Sequence, residues 1–149
     1  PMGVMFSPRS DDKIATAMPS PAARYRVDSL DPALLAYLQS CFAGARTEQL
    51  RVIYCDQRQG YLRDDLFAHG QSDSIITKVR PLFERSLGLG ANALLLAHNH
   101  PSGNCLPSQD DIRSTRYLRY IGAALDVDLI DHLIFAGRRC FSMAGGGYL

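Results

Sequence analysis

The amino-acid sequence predicts an α/β fold in which helices alternate with the strands of one sheet. Apolar residues recur at helical spacing in three segments, and the runs between these segments either alternate or are apolar throughout, as strands are. The chain has 149 residues, of which 46% are hydrophobic, and this suits one domain with a core of its own. Helices packed on a sheet are the expected way to bury both kinds of element.

The first 27 residues lack this periodicity. They are rich in proline, alanine, serine and charged residues, and such a segment buries too little apolar surface to fold by itself. We predict a flexible tail over residues 1–27 and a single domain over residues 28–149.

The domain is predicted to open with a helix and a β-hairpin. The helix begins after Asp31, an N-cap residue followed by proline at the first helical position, and it ends near Gly44. Residues 48–56 alternate in the manner of a strand, and a turn at residues 57–60 leads into a second strand over residues 61–70.

The second half of the domain returns to helix and strand in turn. A helix is predicted over Thr77–Leu87, and the run at residues 91–98 is apolar throughout, as expected for a strand that is covered on both faces. A third helix opens at Ser108, and two strands follow at Asp128–Ala136 and Cys140–Met143.

Charge and cysteine usage argue against several classes of function. The 16 Lys and Arg residues against 15 Asp and Glu residues give a net charge of +1, which provides no support for binding to nucleic acid or an acidic membrane. The four cysteines include no C-x-x-C pair, which argues against a zinc ribbon or a disulfide framework. No apolar run approaches the roughly 18 residues of a membrane span, and the N-terminus lacks the order of a secretory signal. We therefore predict a cytoplasmic protein with reduced thiols.

The chemically informative residues lie in two short sequences, HNHP at 98–101 and SQDD at 108–111. Histidines at i and i+2 of a strand point to the same side with Cα atoms roughly 6.5–7 Å apart, so His98 and His100 can share one ion. Asp111, in the first turn of the third helix, is placed to supply a third ligand. Three protein ligands leave a fourth position for water, which is the arrangement of a catalytic zinc site.

Each half of this pattern also has a structural interpretation. Ser108-x-x-Asp111 before an apolar-periodic stretch is a capping-box signature, and taken alone it favours capping over metal binding. Histidines at a strand end are often polar surface or loop anchors. The two signals together, as H-x-H-P-x(6)-S-x-x-D, are specific and favour the metal site.

This combined pattern resembles the JAMM motif of JAB/MPN-domain metalloproteases. The unit LLLAHNHPSG, together with Thr115 and the pair Asp131-His132, resembles the bacterial RadC branch of that family. The resemblance runs from about Asp28 to the C-terminus. It implies a three-layer JAB/MPN fold, similar to that of cytidine deaminases, with a mixed β-sheet flanked by helices. Where the family loop tends to read Ser-Gly-Asp-Pro, this chain has Ser-Gly-Asn-Cys at residues 102–105.

The resemblance implies a zinc-dependent hydrolase, either a metallopeptidase or an isopeptidase. Its substrate would be a protein or peptide, including a ubiquitin-like or isopeptide-linked one. His98, His100 and Asp111 would hold Zn²⁺, and Glu48 would shuttle the proton, because it matches the glutamate that begins the RadC segment E-x-F-x-V-x-x-L-D. Ser108 would donate a hydrogen bond to the developing oxyanion. Local sequence alone would assign Glu48 to the solvent-exposed surface.

Two other classes of function stay open. One is a catalytically silent binding module with the same fold. The other is a RadC-like factor associated with DNA repair, against which the near-neutral charge weighs. A homodimer is also left open.

The remaining polar residues receive structural interpretations. Cys105 is interpreted as a small loop residue rather than a fourth ligand, although a thiolate is a good zinc ligand. Asp131 and His132 could support the site from the neighbouring strand, but a structural role is preferred for both. His69 is interpreted as a surface residue. A stripe of arginines along the third helix is interpreted as a solvated face, and its members are Arg113, Arg116 and Arg119.

Overall fold

A computed structural model of the chain describes residues 5–6, 25–69 and 78–149. The described helices are α1 (Pro32–Phe42), α2 (Val79–Gly88) and α3 (Gln109–Ala124). The described strands are β1 (Met5–Phe6), β2 (Gln49–Cys55), β3 (Tyr61–His69), β4 (Ala93–Asn99), β5 (Asp128–Ala136) and β6 (Arg139–Ser142). Every element that the sequence predicts is present. β5 has the predicted bounds, and the ends of the other elements differ by a few residues. Among the described helices, none combines the length and the apolar character that a membrane span needs.

The strands form one mixed sheet in the order β1-β6-β5-β4-β2-β3. β4 and β5 are parallel and α3 is the crossover between them, while the other neighbouring strands are antiparallel. β2 and β3 form the predicted hairpin. β4 lies between β2 and β5, and all seven of its residues are buried, which explains why its sequence is apolar without alternation.

Helices cover both faces of the sheet and produce three layers. Leu38 of α1 packs in one core cluster with Leu95 of β4. On the opposite face, Leu82 of α2 and Leu118 of α3 pack in a second cluster with Leu96. Adjacent residues of β4 enter different layers because side chains alternate along a strand. The predicted α/β fold with a mixed sheet flanked by helices is therefore confirmed.

Two parts of the predicted tail are described. Met5–Phe6 pairs with β6 at one edge of the sheet. Val27 is fully buried in the α1 cluster, and its N–H donates to the Gln59 carbonyl oxygen at 2.8 Å. The other residues of the predicted tail up to position 24 lie outside the described residues, as does the side chain of His69. The flexible tail, the domain boundary and the surface position of His69 stay predictions.

Helical spacing predicts that Thr115, Leu118 and Leu125 of α3 all face the core, but the C-terminal end of the helix differs. Thr115 and Leu118 are buried as expected, but Leu125 is 41% exposed. Gly122 occupies the buried position instead, and its carbonyl oxygen accepts from the Val127 N–H at 2.8 Å. A Cβ at Gly122 would lie 2.3 Å from the Val127 carbonyl oxygen. Glycine therefore allows the chain to fold back closely against the end of α3 before β5 begins.

Gly122→Ala is expected to lower the free energy of unfolding by about 1–3 kcal/mol, because the added methyl group forces the helix end away from Val127. Gly88→Ala is the control, since an added Cβ there meets nothing within 4 Å. The free energy of unfolding of the control is expected to rise by about 0.4–1 kcal/mol, because alanine has less conformational freedom than glycine in the unfolded chain. Urea unfolding of the two variants measures the difference, and a Gly122→Ala protein as stable as the wild type would contradict the close approach.

Candidate metal centre

Two elements of the fold bring three potential ligands together. β4 carries His98 near its end and His100 follows the strand directly, while Asp111 lies in the first turn of α3. The ligand atoms of these three residues all lie within 4.8 Å of one another. Among the described residues, His98, His100 and Asp111 are the group of side chains close enough together to share one metal ion. The structure thus brings together the three side chains that the sequence singles out.

The three side chains meet through their metal-binding atoms. His98 Nε2 lies 2.8 Å from His100 Nε2. Asp111 Oδ2 lies 3.1 Å from His100 Nε2, and Asp111 Oδ1 lies 3.4 Å from His98 Nε2. His98 is buried, whereas His100 and Asp111 are partly exposed, so the group is open to solvent on their side.

One ring nitrogen of His100, Nδ1, forms a hydrogen bond outside the group of ligand atoms. His100 Nδ1 lies 2.7 Å from the backbone carbonyl oxygen of Asn104, and a carbonyl can only accept, so Nδ1 carries the ring proton. The side-chain oxygen of Asn104 accepts from the Leu106 N–H at 3.0 Å and shapes this loop. In the neutral ring, His100 Nε2 therefore has no proton, and its lone pair is directed at His98 and Asp111.

The donor set of the site fits a divalent metal ion. Ring nitrogens and carboxylate oxygens this close together need a cation among them, which is either a proton or a metal ion. Two imidazole nitrogens and one carboxylate match the ligand preference of zinc and of similar divalent ions. His98, His100 and Asp111 are therefore the residues that would hold such an ion.

Asp111 and His100 support each other electrostatically. Burial by itself would raise the pKa of Asp111, but hydrogen bonds with His100 and His98 outweigh burial and hold that pKa far below its ordinary value. The hydrogen bond with Asp111 is the main cause of the raised pKa of His100, and the charge of Glu48 adds to it. Asp111 is therefore a carboxylate at neutral pH, which is the form that binds a metal.

Ser108 and Asp111 form a capping box at the start of α3. The Asp111 N–H donates to Ser108 Oγ at 3.0 Å, and the Ser108 N–H donates to Asp111 Oδ2 at 2.8 Å. Capping and metal binding are alternatives in the sequence, but one side chain can do both here. The cap holds the Asp111 side chain in the orientation that faces the two histidines.

Glu48 is exposed at the edge of the site, directly before β2. The pairing of β2 with β4 places the start of β2 beside the histidines. The buried side chain of Asn99 holds this segment, because its Oδ1 accepts from the Gln49 N–H at 2.6 Å and its Nδ2 donates to the Thr47 carbonyl oxygen at 3.1 Å. Asn99 therefore fixes the backbone on both sides of Glu48. Strand alternation predicts that the Asn99 side chain points away from the side shared by His98 and His100, but no local pattern identifies this role.

Two buried polar residues contact the site, His132 of β5 and Thr115 of α3. The sequence offers support of the site as the less favoured role of His132, and it does not identify the contact of Thr115. His132 Nε2 lies 2.6 Å from His98 Nδ1, and His132 Nδ1 lies 2.7 Å from Thr115 Oγ1. Burial lowers the pKa of His132 well below its ordinary value, so this ring is neutral. The structural interpretation of His132 is incomplete, because the ring contacts a potential ligand. The available signal was the pair Asp131-His132 within a largely apolar strand.

The other structural interpretations agree with the described contacts. The Asp131 carboxylate accepts from Ser142 Oγ at 2.5 Å and from the Ala144 N–H at 3.0 Å, which ties β5 to the chain after β6. Cys105 is buried and packs in one core cluster with Ile134, and among the described residues the group of potential ligands does not include it. All four cysteines are thiols. The predicted solvated face of α3 is exposed at each of its arginines, Arg113, Arg116 and Arg119.

Comparison with known proteins identifies relatives over almost the whole chain. A family model described as a RadC-like JAB domain matches residues 29–148. A UPF0758 protein of Ruegeria pomeroyi is 40% identical over 146 residues, which cover 94% of this chain and 65% of that protein. A UPF0758 protein of Rhodobacter capsulatus is 39% identical over 117 residues, covering 78% of this chain and 55% of the relative. A UPF0758 protein of Staphylococcus carnosus is 29% identical over 144 residues, which cover 97% of this chain and 58% of that protein. This chain therefore spans between 55% and 65% of the length of these three relatives.

Asp111→Asn is expected to weaken the binding of a divalent metal by roughly 100-fold or more, because it removes the charged ligand while an amide oxygen can still accept from the Ser108 N–H. Asp110→Asn is a matched control on the same helical turn. Asp110 is exposed and pairs with Arg113. Titration with Co²⁺, followed by its visible absorption, compares the two variants. Equal affinities for the two would rule out Asp111 as a ligand.

Proposed function

This chain belongs to the RadC-like JAB domain family, and on that basis we propose that it is a zinc-dependent hydrolase of the JAMM type, either a metallopeptidase or an isopeptidase. The observation that carries the proposal is the convergence of His98, His100 and Asp111 through their ligand atoms. Three protein ligands are the number found in catalytic zinc sites, which keep one coordination position open. Structural zinc sites, by contrast, are closed by four protein ligands.

Zinc and one acidic side chain would share the chemistry of amide hydrolysis. A zinc ion held by His98, His100 and Asp111 would lower the pKa of a coordinated water and polarise the carbonyl group of the scissile amide. Glu48 would accept the proton of the attacking water on a carboxylate oxygen and then donate it to the leaving amine. Two observations support this role. Glu48 is exposed at the edge of the site. The pKa of His100 is raised mainly by Asp111, and the charge of Glu48 raises it further.

Ser108 would stabilise the oxyanion that develops on the attacked carbonyl group. Its Oγ accepts from the Asp111 N–H with a lone pair, so the hydroxyl proton is not used by that bond. Ser108 is also the N-cap of α3, where the positive end of the helix dipole favours a negative charge. Capping and oxyanion binding are therefore compatible in one residue.

The proposed substrate is a protein or peptide, including an isopeptide-linked or ubiquitin-like one. The site lies at the end of a strand and is bordered by the exposed Glu48 on one side and by the largely exposed loop at residues 101–107 on the other. An open position of this kind suits an extended polypeptide segment better than a small molecule, which is usually enclosed in a concave pocket.

Glu48→Gln is expected to lower amide hydrolysis by about 10²–10⁴-fold while the chain still binds one zinc ion, because the amide keeps the shape of the side chain but cannot accept a proton. Glu84→Gln is the control, since Glu84 is an exposed glutamate of α2 that pairs with Arg80. Fluorogenic libraries of linear peptides and of lysine-isopeptide conjugates provide the activity assay, and elemental analysis provides the zinc content.

Full activity of Glu48→Gln would show that another group moves the proton. Loss of zinc in the same variant would instead make Glu48 a ligand. A wild-type protein that holds zinc but cleaves neither library would favour the binding-module function over the hydrolase.

A further inference from the structure

A continuous series of hydrogen bonds, two of them buried and one partly buried, connects two of the proposed ligands through His132 and Thr115. His98 Nδ1 lies 2.6 Å from His132 Nε2, and His132 Nδ1 lies 2.7 Å from Thr115 Oγ1. Thr115 Oγ1 in turn donates to the backbone carbonyl oxygen of Asp111 at 2.6 Å. His132 and Thr115 are both 0% exposed, so solvent offers them no other partners. The series therefore runs from the end of β4, through β5, to the first turn of α3.

The direction of every bond in this series follows from one group. The Thr115 hydroxyl has one proton, and the Asp111 carbonyl oxygen at 2.6 Å is a better acceptor for it than Met143 Sδ at 3.7 Å. Thr115 Oγ1 can then only accept from His132, which means that His132 Nδ1 carries a proton. In a neutral ring, His132 Nε2 is the acceptor, and it receives the Nδ1 proton of His98.

This order of protons decides which nitrogen of His98 is available to a metal. With the proton on Nδ1, the lone pair of His98 lies on Nε2, which is the atom 2.8 Å from His100 Nε2 and 3.4 Å from Asp111 Oδ1. The opposite tautomer would place a proton on Nε2 and prevent coordination. An acceptor at the position of His132 Nε2 therefore favours the tautomer of His98 that can bind a metal through Nε2.

We propose that His132, oriented by Thr115, is a positioning residue of this site, which selects the metal-binding tautomer of His98 and connects it to the helix that carries Asp111. The inference deepens the proposed function and rests on the proposed metal site. Residues that accept the outer N–H of a metal-binding histidine commonly affect metal affinity by 10–100-fold. The acceptor in such sites is most often a carboxylate, a carbonyl group or water, and here it is a second imidazole.

A purely space-filling role does not account for these contacts. An apolar side chain could fill a fully buried position without removing two ring nitrogens from water, which is costly unless both are hydrogen-bonded. Here both nitrogens of His132 have partners on different elements, His98 on β4 and Thr115 on α3. Their arrangement is the one that a tautomer-selecting residue needs.

The first test measures the tautomer of His98 directly in the metal-free chain. Long-range ¹H–¹⁵N NMR of the imidazoles, at mildly alkaline pH, distinguishes a protonated Nδ1 from an unprotonated one. We expect a protonated Nδ1 on His98 in the wild type and an unprotonated one in His132→Leu, where the acceptor is absent. An unprotonated Nδ1 in the wild type, or an unchanged His98 signal in the variant, would overturn the proposal.

The second test measures zinc affinity by competition with a chromophoric chelator. His132→Leu is expected to weaken zinc binding by about 10–100-fold, whereas His132→Gln, whose amide oxygen can accept from His98, should stay within about 3-fold of the wild type. Equal weakening by leucine and glutamine would show that ring shape matters rather than the acceptor. Wild-type affinity in His132→Leu would remove the positioning role.

Variants of Thr115 make the test independent of whether His132→Leu folds. Thr115→Val removes the hydroxyl with little change in shape, and Thr115→Ser keeps the hydroxyl, so only the valine variant should weaken zinc binding and alter the His98 signal. Valine behaving like serine would overturn the proposal. A wild-type chain that binds no zinc would overturn the proposed hydrolase instead, and the tautomer measurement would still decide the role of His132.

Discussion

The parallel pairing of β4 with β5 is the interaction on which the site depends. It sets the histidine at the end of β4 beside the histidine of β5, and it requires a crossover connection that returns over the sheet as α3. The helix of this crossover begins directly after its N-cap Ser108, and this start places Asp111 at the end of β4. A shift of one residue in the register would turn His132 to the opposite face and remove its contact with His98.

Buried polar groups around the site are paired with one another across separate elements. Asn99 holds the segment that carries Glu48, and Asp131 ties β5 to the chain beyond β6. His132 and Thr115 join β4, β5 and α3. Each pairing offsets the cost of removing a polar group from water and also restricts how the elements can move. Rigid supporting contacts of this kind are what a preorganised metal site needs, because small displacements of a ligand weaken binding.

The sequence reveals the local parts of this protein and not the long-range ones. Helix periodicity, the N-cap at Asp31 and the apolar run of β4 are local signals, and each predicts its element. The spacing of His98, His100 and Asp111 is also local, since one short loop separates them. The role of His132 depends on strand register over 34 positions, which no local pattern contains. Gly122 was missed for a different reason, since Val127 follows it closely in the chain and their close approach depends on the turn at Asp126, where φ is 56°.

The central claim is that His98, His100 and Asp111 hold one zinc ion, and anomalous diffraction at the zinc absorption edge tests it most directly. We expect a single strong peak per chain that lies about 2.0–2.1 Å from Nε2 of each histidine and about 2.0–2.2 Å from an Asp111 carboxylate oxygen. Coordination of His98 through Nδ1, or a zinc-loaded crystal without a peak between these three residues, would contradict the account.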